Sequence, residues 1–265
     1  MSLSVGDSSD GHLTSERFAV DGLTAGYGSQ PVLFEVSASF SGGTITSIIG
    51  PNGAGKSTVL KAIFGVARVF QGQIRFDGDP VPISPRELVR RGVAYVPQRN
   101  NVFPSLSVRE NLEIGAYARG GGSIERVVDT FPALGPLMTK AARKLSGGQR
   151  NMLAVGRALM CDPKVLFLDE ASGGLAPIIA ADLWKHLVQL AGTGIAVVVV
   201  EQNVSLALRF SSKVYLLAGG RNQFVGTPAD LRENPDLERL FLEGVGGVPS
   251  ASEGHPEATA VDDSG

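Results

Sequence analysis

The chain has 265 residues, 43% apolar and 19% charged, and a formal net charge of -2, enough for one or two domains with an apolar core. Its one cysteine, Cys161, excludes an intrachain disulfide framework and a zinc site built on cysteines, and is compatible with a reducing compartment. Asp7, Asp10 and Glu16 at one end, and Glu253, Glu257, Asp262 and Asp263 at the other, lie where no Lys or Arg occurs; the body at 17–243 is thus mildly positive, without clustered basic residues, and no nucleic-acid partner is expected.

Residues 1–16 are rich in Ser, Gly and Asp, and residues 244–265 in Gly, Ser, Pro and Ala; both read as disordered tails. No basic region followed by an apolar stretch opens the chain, so no signal peptide is expected. No apolar run approaches the ~18 residues needed to span a bilayer, so attachment to a membrane would need a partner.

Strand signals open the body. Phe18–Val20, Val32–Phe40 and Thr44–Ile49 are β-branched or alternating, with turns at Gly26-Tyr27-Gly28 and Ser41-Gly42-Gly43. A strand, glycine loop and helix follow over 44–64. Gly72–Gly78 and Val93–Pro97 read as two further strands. Between them, Ser84-Pro85-Arg86-Glu87 has the form of a capping box with proline at the first helical position.

From about 99 to 160 helical patterns replace strands, which suggests an inserted helical subdomain. Ser107-Val108-Arg109-Glu110 is a second capping box, opening a helix toward Tyr117. One helix is expected near 123–131, before Pro132, and another from Gly147-Gly148 to Met160.

Strands and helices then alternate: Val165–Leu168, helix Pro177–Leu190, Ile195–Val200, helix Val204–Phe210 and Val214–Leu217. All-apolar strands alternating with helices predict an α/β fold with a parallel core sheet. Thr227-Pro228 and Asn234-Pro235 would each cap a short terminal helix.

Gly50-Pro51-Asn52-Gly53-Ala54-Gly55-Lys56-Ser57 fits G-x-x-x-x-G-K-[ST] between a strand and a helix. Such a loop wraps phosphates with inward-pointing amides at a helix N-terminus. Lys56 would reach the β- and γ-phosphates, Ser57 would ligate Mg²⁺, and Thr58 would assist at a phosphate. Asp169 and Glu170 end the strand 165–168, where carboxylates should face the loop. Asp169 would hold Mg²⁺, directly or through water, and Glu170 would polarise the attacking water.

Leu145-Ser146-Gly147-Gly148-Gln149 precedes a helix about twenty residues ahead of Asp169. With the preceding motifs, this pentapeptide resembles the signature of ATP-binding cassette (ABC) ATPases, and the resemblance covers roughly 17–243. It implies a P-loop NTPase fold with a parallel core sheet, an antiparallel β subdomain and an inserted helical subdomain. It also implies that Ser146, Gly147, Gly148 and Gln149 contact the γ-phosphate of ATP bound by a second cassette, so that two nucleotides lie sandwiched between two subunits. By the same resemblance, nucleotide contacts fall to Asn52, Gly53, Ala54, Gly55, Lys56, Ser57 and Thr58. Tyr27 stands where an aromatic stacks on adenine, a reading preferred over a ring that only packs at a strand end. Gln98 matches the Q-loop glutamine, which would contact Mg²⁺ or the attacking water and couple to a membrane partner. Ser172-Gly173-Gly174-Leu175 resembles the D-loop, which crosses the interface between cassettes.

One position departs from the pattern. Cassettes usually place a histidine after the strand following Asp169-Glu170; here the residues are Val200-Glu201-Gln202-Asn203, with Gln202 at the switch position. His12, His186 and His255 do not replace it. Glutamine can donate a hydrogen bond to phosphate but carries neither charge nor proton. Glu-Gln-Asn here resembles one ATPase subunit of the branched-chain (hydrophobic) amino acid importers. The stretches Gly92–Pro97, Val102–Pro104, Ser107–Leu112, Gly156–Met160 and Gly173–Pro177 agree. The resemblance implies an ATPase at the cytoplasmic face of the inner membrane, paired with a like or unlike ATPase and two transmembrane permeases. An extracytoplasmic substrate-binding protein would feed them. Import of urea or short amides, or a non-hydrolysing regulatory role, are the alternatives. Val102 and Phe103 suit either permease docking or ordinary core packing.

Overall fold

The computed structural model describes residues 15–119 and 121–233. Two sheets organise them. The first has the order β2-β1-β4-β5, from β1 (Glu16–Tyr27), β2 (Gln30–Ser41), β4 (Arg68–Phe76) and β5 (Asp79–Val81), with antiparallel pairing throughout. The second has the order β10-β9-β3-β8-β7-β6, from β3 (Ile45–Ile49), β6 (Val93–Val96), β7 (Val165–Asp169), β8 (Ala196–Glu201), β9 (Lys213–Ala218) and β10 (Arg221–Gly226). Its pairs are parallel except at β9–β10. The molecule is α/β, as the alternation of apolar strands and helices predicts, with a separate antiparallel sheet.

The strands β7 and β8 form because Val165-Leu166-Phe167-Leu168 and Ala196-Val197-Val198-Val199-Val200 suit a pleated sheet buried on both faces. Alternate residues serve opposite cores. Phe167 and Val198 pack with Phe18 and Phe40 of the antiparallel sheet and with Leu60 and Ile63 of α1 (Lys56–Ile63). Leu168 and Val199 pack with Leu153 of α5 (Gly147–Leu159) and with Trp184 and Leu187 of α6 (Pro177–Gly192). Phe167 meets Phe18 and Phe40 edge to face, at centroid distances of 5.3 and 5.5 Å.

The remaining helices are α2 (Pro85–Arg90), α3 (Val108–Tyr117), α4 (Ile124–Thr130), α7 (Val204–Phe210) and α8 (Pro228–Arg232). Between 99 and 160 the described residues hold α3, α4, α5 and two short 3-10 turns, at Pro132–Leu137 and Ala142–Lys144. His186, on α6, lies edge to face with Phe131 at 5.1 Å, a packing role.

Several local expectations need correction. Gly26 and Tyr27 belong to β1, and the turn lies at Gly28-Ser29. The strand expected at 72–78 starts at Arg68, and β5 and β10 carry polar sequences that gave no strand signal. The expected capping box at Ser84 is not made: its side chain caps nothing, and Glu87 pairs with Arg90 at 2.9 Å. The box expected at Ser107 is complete, and Thr227, expected only as a cap, also closes a full box with Asp230. Glu16, expected in the 1–16 tail, instead opens β1, where it pairs with Ser41 of β2; residues 1–14 of that tail, the tail at 244–265 and the terminal helix expected at Asn234-Pro235 lie outside the described residues.

Candidate active site

The loop Gly50–Gly55 leaves the C-terminal end of β3 and turns into α1. Gly55 is left-handed at φ 97°, and an added Cβ would stand 2.6 Å from Leu33 Cδ2, so both conformation and space demand glycine. Helix α1 has no side-chain cap and no acid in its first turn. Its leading amides therefore remain open at the positive end of the helix dipole, which suits a polyphosphate. Asn52 and Gly53 are exposed at the tip, whereas Ala54 and Thr58 are buried.

Lys56 is 5% exposed and donates to the carbonyls of Gly50 (2.8 Å) and Pro51 (3.0 Å). Burial pulls its ammonium below the usual lysine range, and the carboxylates of Glu170, Asp169 and Glu201 oppose that shift.

Ser57 Oγ donates to Asp169 Oδ1 at 2.8 Å, and Tyr95 Oη donates to Asp169 Oδ2 at 3.2 Å. Sequence reading missed Tyr95. It stacks on Phe64 at 4.9 Å, which fixes its ring, and burial pushes its phenol up, with Asp169 adding to the shift. Ser57 and Asp169 thus present two neighbouring oxygens, the donor chemistry that suits a hard divalent cation.

Glu170 follows at φ 48°, an uncommon conformation for a non-glycine residue. Its amide donates to Val200 O at 2.8 Å, and its carboxylate accepts from Gln98 Nε2. It borders both the P-loop cleft, lined by Asn52–Thr58 and Val32, and the adjoining cleft that contains Ser172, Glu201 and Gln202. The structure thereby brings together Lys56, Ser57, Asp169, Glu170, Gln98 and Gln202.

Gln202 is exposed and follows β8 directly. Its neighbour Glu201 is 2% exposed; the sequence reading used it only within the Glu-Gln-Asn resemblance and gave it no role at the site. Burial pushes the Glu201 carboxyl up, against hydrogen bonds from Ser172, Asn203 and Gln202. Tyr27 is 45% exposed at the end of β1, with its hydroxyl 3.5 Å from Thr58 Oγ1. It therefore flanks the P-loop helix with a free ring face.

The segment 146–149 lines neither of the clefts that hold Lys56 and Glu170. Ser146 caps α5 in a box with Gln149: Ser146 Oγ accepts from Gln149 N at 3.2 Å, and Gln149 Oε1 accepts from Ser146 N at 3.1 Å. Ser146 and Gly147 are exposed. Gly148 is buried, and an added Cβ would stand 2.5 Å from Cγ2 of the exposed Ile179, whose side chain would have to turn aside. Gln149 spends its carbonyl on the cap and keeps its amide protons. Val102 is buried at 7% and belongs to the core, whereas Phe103 is 44% exposed, with the Arg157 guanidinium 5.0 Å from its ring centroid.

A family model described as ABC transporter matches residues 33–173, more than half of the chain. A probable branched-chain amino acid transport ATP-binding protein from Archaeoglobus fulgidus is 41% identical over 226 residues, 83% of this chain and 96% of its own. A high-affinity branched-chain amino acid transport ATP-binding protein from Pseudomonas aeruginosa is 38% identical, over 84% of this chain and 98% of its own. Among solved structures, the ADP conformation of an ATP-binding cassette of an ABC transporter superposes with a TM-score of 0.78 at 26% identity, covering 86% of this chain and 99% of that one. Among the described residues, no helix is long and apolar enough to cross a membrane. P-loop, paired carboxylates, signature helix and near full-length relatives agree, and the chain belongs to the ABC transporter family as an ATP-binding cassette.

Proposed function

We propose that this chain is the ATP-hydrolysing subunit of an importer for branched-chain amino acids. The observation that carries the chemistry is the convergence of Lys56, Ser57, Asp169 and Glu170 at one cleft, while Ser146 lies outside it. The names of the two near full-length relatives support the substrate. The cassette would span 17–243, with a helical subdomain at about 99–160.

Loop amides and Lys56 would bind the triphosphate, and Tyr27 would offer its ring to adenine. Mg²⁺, held by Ser57 and Asp169 with the free Oε1 of Gln98, would neutralise developing phosphate charge. Glu170 would accept the proton of the attacking water, and the Gln98 amide on its carboxylate orients it. Gln202 would donate to the γ-phosphate. Ser146 Oγ, whose lone pair is taken by the Gln149 amide, would turn its proton to a nucleotide on a second cassette.

The reading requires a second cassette, the same or a different chain, and two permeases at the cytoplasmic face of the membrane. A substrate-binding protein would act on them from outside. Phe103, exposed on the helical side, is the candidate permease contact.

The test is ATP turnover by the full chain against protein concentration, alone and with its companion ATPase. Turnover of second order in protein, or turnover only with the companion, is expected. Glu170→Gln should lower it by roughly a hundredfold or more with nucleotide still bound. A Glu170→Gln chain that hydrolyses ATP as fast as the parent would remove Glu170 from this role.

A further inference from the structure

The proposed mechanism leaves one buried carboxylate unused. Glu201 ends β8, paired with Ile49 of β3, the residue before the P-loop. It is 2% exposed, and both of its oxygens are engaged. Oε1 accepts from the Ser172 hydroxyl (2.5 Å) and the Ser172 amide (3.2 Å). Oε2 accepts from the amides of Gln202 (3.2 Å) and Asn203 (3.4 Å). Every partner is a donor, so the site fits an ionised carboxylate and fits an amide badly. Ser172 itself is only 7% exposed.

The two donor pairs belong to different loops. Ser172 opens the turn after β7 that leads through Gly173 and Gly174 into α6. Gln202 and Asn203 open the turn after β8, and Asn203 then caps α7 by accepting from Leu206 N at 3.2 Å. These loops make no ladder to each other, because β7 and β8 stop pairing at Asp169 and Val200. Glu201 therefore continues the β7–β8 connection by side chain where the backbone ladder ends. Burying a charge is costly unless its hydrogen bonds are met.

We propose that Glu201 is a positioning residue that ties the 172–175 segment to Gln202, so that the loop facing a second cassette and the loop facing the γ-phosphate move as one body. This deepens the function proposed above and rests on it only for the identity of what the two loops meet. A change at one loop is then felt at the other through one carboxylate. A glutamine at 201 can satisfy one loop but must turn its NH₂ toward donors of the other. The interface segment would then no longer report on the state of Gln202.

The test uses the full-length chain, first without nucleotide. In Ser172→Ala, which keeps Glu201 and alters only the 172 loop, amide hydrogen exchange at Gln202 and Asn203 should quicken by roughly tenfold, a loss of about 1.4 kcal/mol of protection. The Val198 amide, inside β8, serves as the control and should not change. Unaltered exchange at Gln202 and Asn203 overturns the link. Turnover supplies the second reading: Glu201→Gln and Ser172→Ala should each lower kcat with little change in KM, and the double variant should be no worse than Glu201→Gln. Multiplying effects, or a kcat for Glu201→Gln within about twofold of the parent, overturn the positioning role. If the parent chain hydrolyses no ATP either alone or with its companion ATPase, yet Ser172→Ala still loosens Gln202, the motor reading fails and the mechanical link stands.

Discussion

Glu170 holds its place against a conformational cost. A non-glycine residue in the left-handed region is disfavoured by about 1–2 kcal/mol, and here the Val200 carbonyl at 2.8 Å helps to hold it there. That backbone turns the residue after Asp169 toward the P-loop instead of continuing the strand. Asp169 depends on side chains in the same way, through Ser57 and Tyr95. Tyr95→Phe removes one donor from a buried carboxylate and leaves the ring packing on Phe64. The Mg²⁺ requirement for turnover should then rise by roughly tenfold, read from a Mg²⁺ titration of the rate; an unchanged titration would mean that Tyr95 is packing alone. Lys56, Ser57, Asp169 and Glu170 were legible because their motifs are contiguous in the chain. Tyr95 and Glu201 were not, because each finds its partners across strand boundaries: Tyr95 pairs with Phe167 of β7, and Glu201 reaches Ser172. No spacing rule encodes those registers. Gln149 was legible as part of a motif, yet its carbonyl serves its own helix.

At the scale of elements, two identical-looking caps behave differently. Ser107 and Glu110 close a full box, whereas Ser84, at φ -144° and ψ 122°, directs nothing at α2. Glu87 is drawn off by Arg90, and Pro85 already removes one orphan amide. Ser107→Ala should cost about 1 kcal/mol, lowering Tm by about 2–4 °C, whereas Ser84→Ala should lie within about 0.5 kcal/mol of zero. Thermal unfolding of both variants checks the contrast. Strand β4 joins β1 partly through Asp21 and Arg75, at 2.6 Å. The Arg75 guanidinium holds the Asp21 carboxyl below the usual carboxylate range, so its contribution is complete above that range and is lost as pH falls through the lowered value. Asp21→Asn should therefore lower Tm at about pH 7 and by progressively less as the pH falls below about 4; a drop that stays constant with pH would assign the effect to packing. The pair is partly exposed, so the drop should stay within a few degrees. The polar strands β5 and β10 escaped the sequence reading because edge positions need no apolar alternation: β10 is Arg-Asn-Gln-Phe-Val-Gly, held in part by Asn222 on the Ser37 carbonyl.

At the scale of the molecule, the order of strands matters more than any motif. Strands β3, β7 and β8 lie side by side, although 165 lies more than a hundred residues beyond 49, and this delivers the P-loop, Asp169 and Glu201 to one edge. The fold class was readable from alternating elements, and the order was not, since strand neighbours carry no local mark. Separation of Ser146 from Lys56 is also a property of the whole, and it is why one cassette does not complete the proposed site. The central sheet is a party wall, with Phe167 facing one core and Leu168 the other. Neither core can melt without stripping cover from the strands that the other uses. The antiparallel sheet, α1 and the α5–α6 layer should therefore lose structure in one endotherm with equal calorimetric and van't Hoff enthalpies, and two resolved heat-absorption peaks would contradict this.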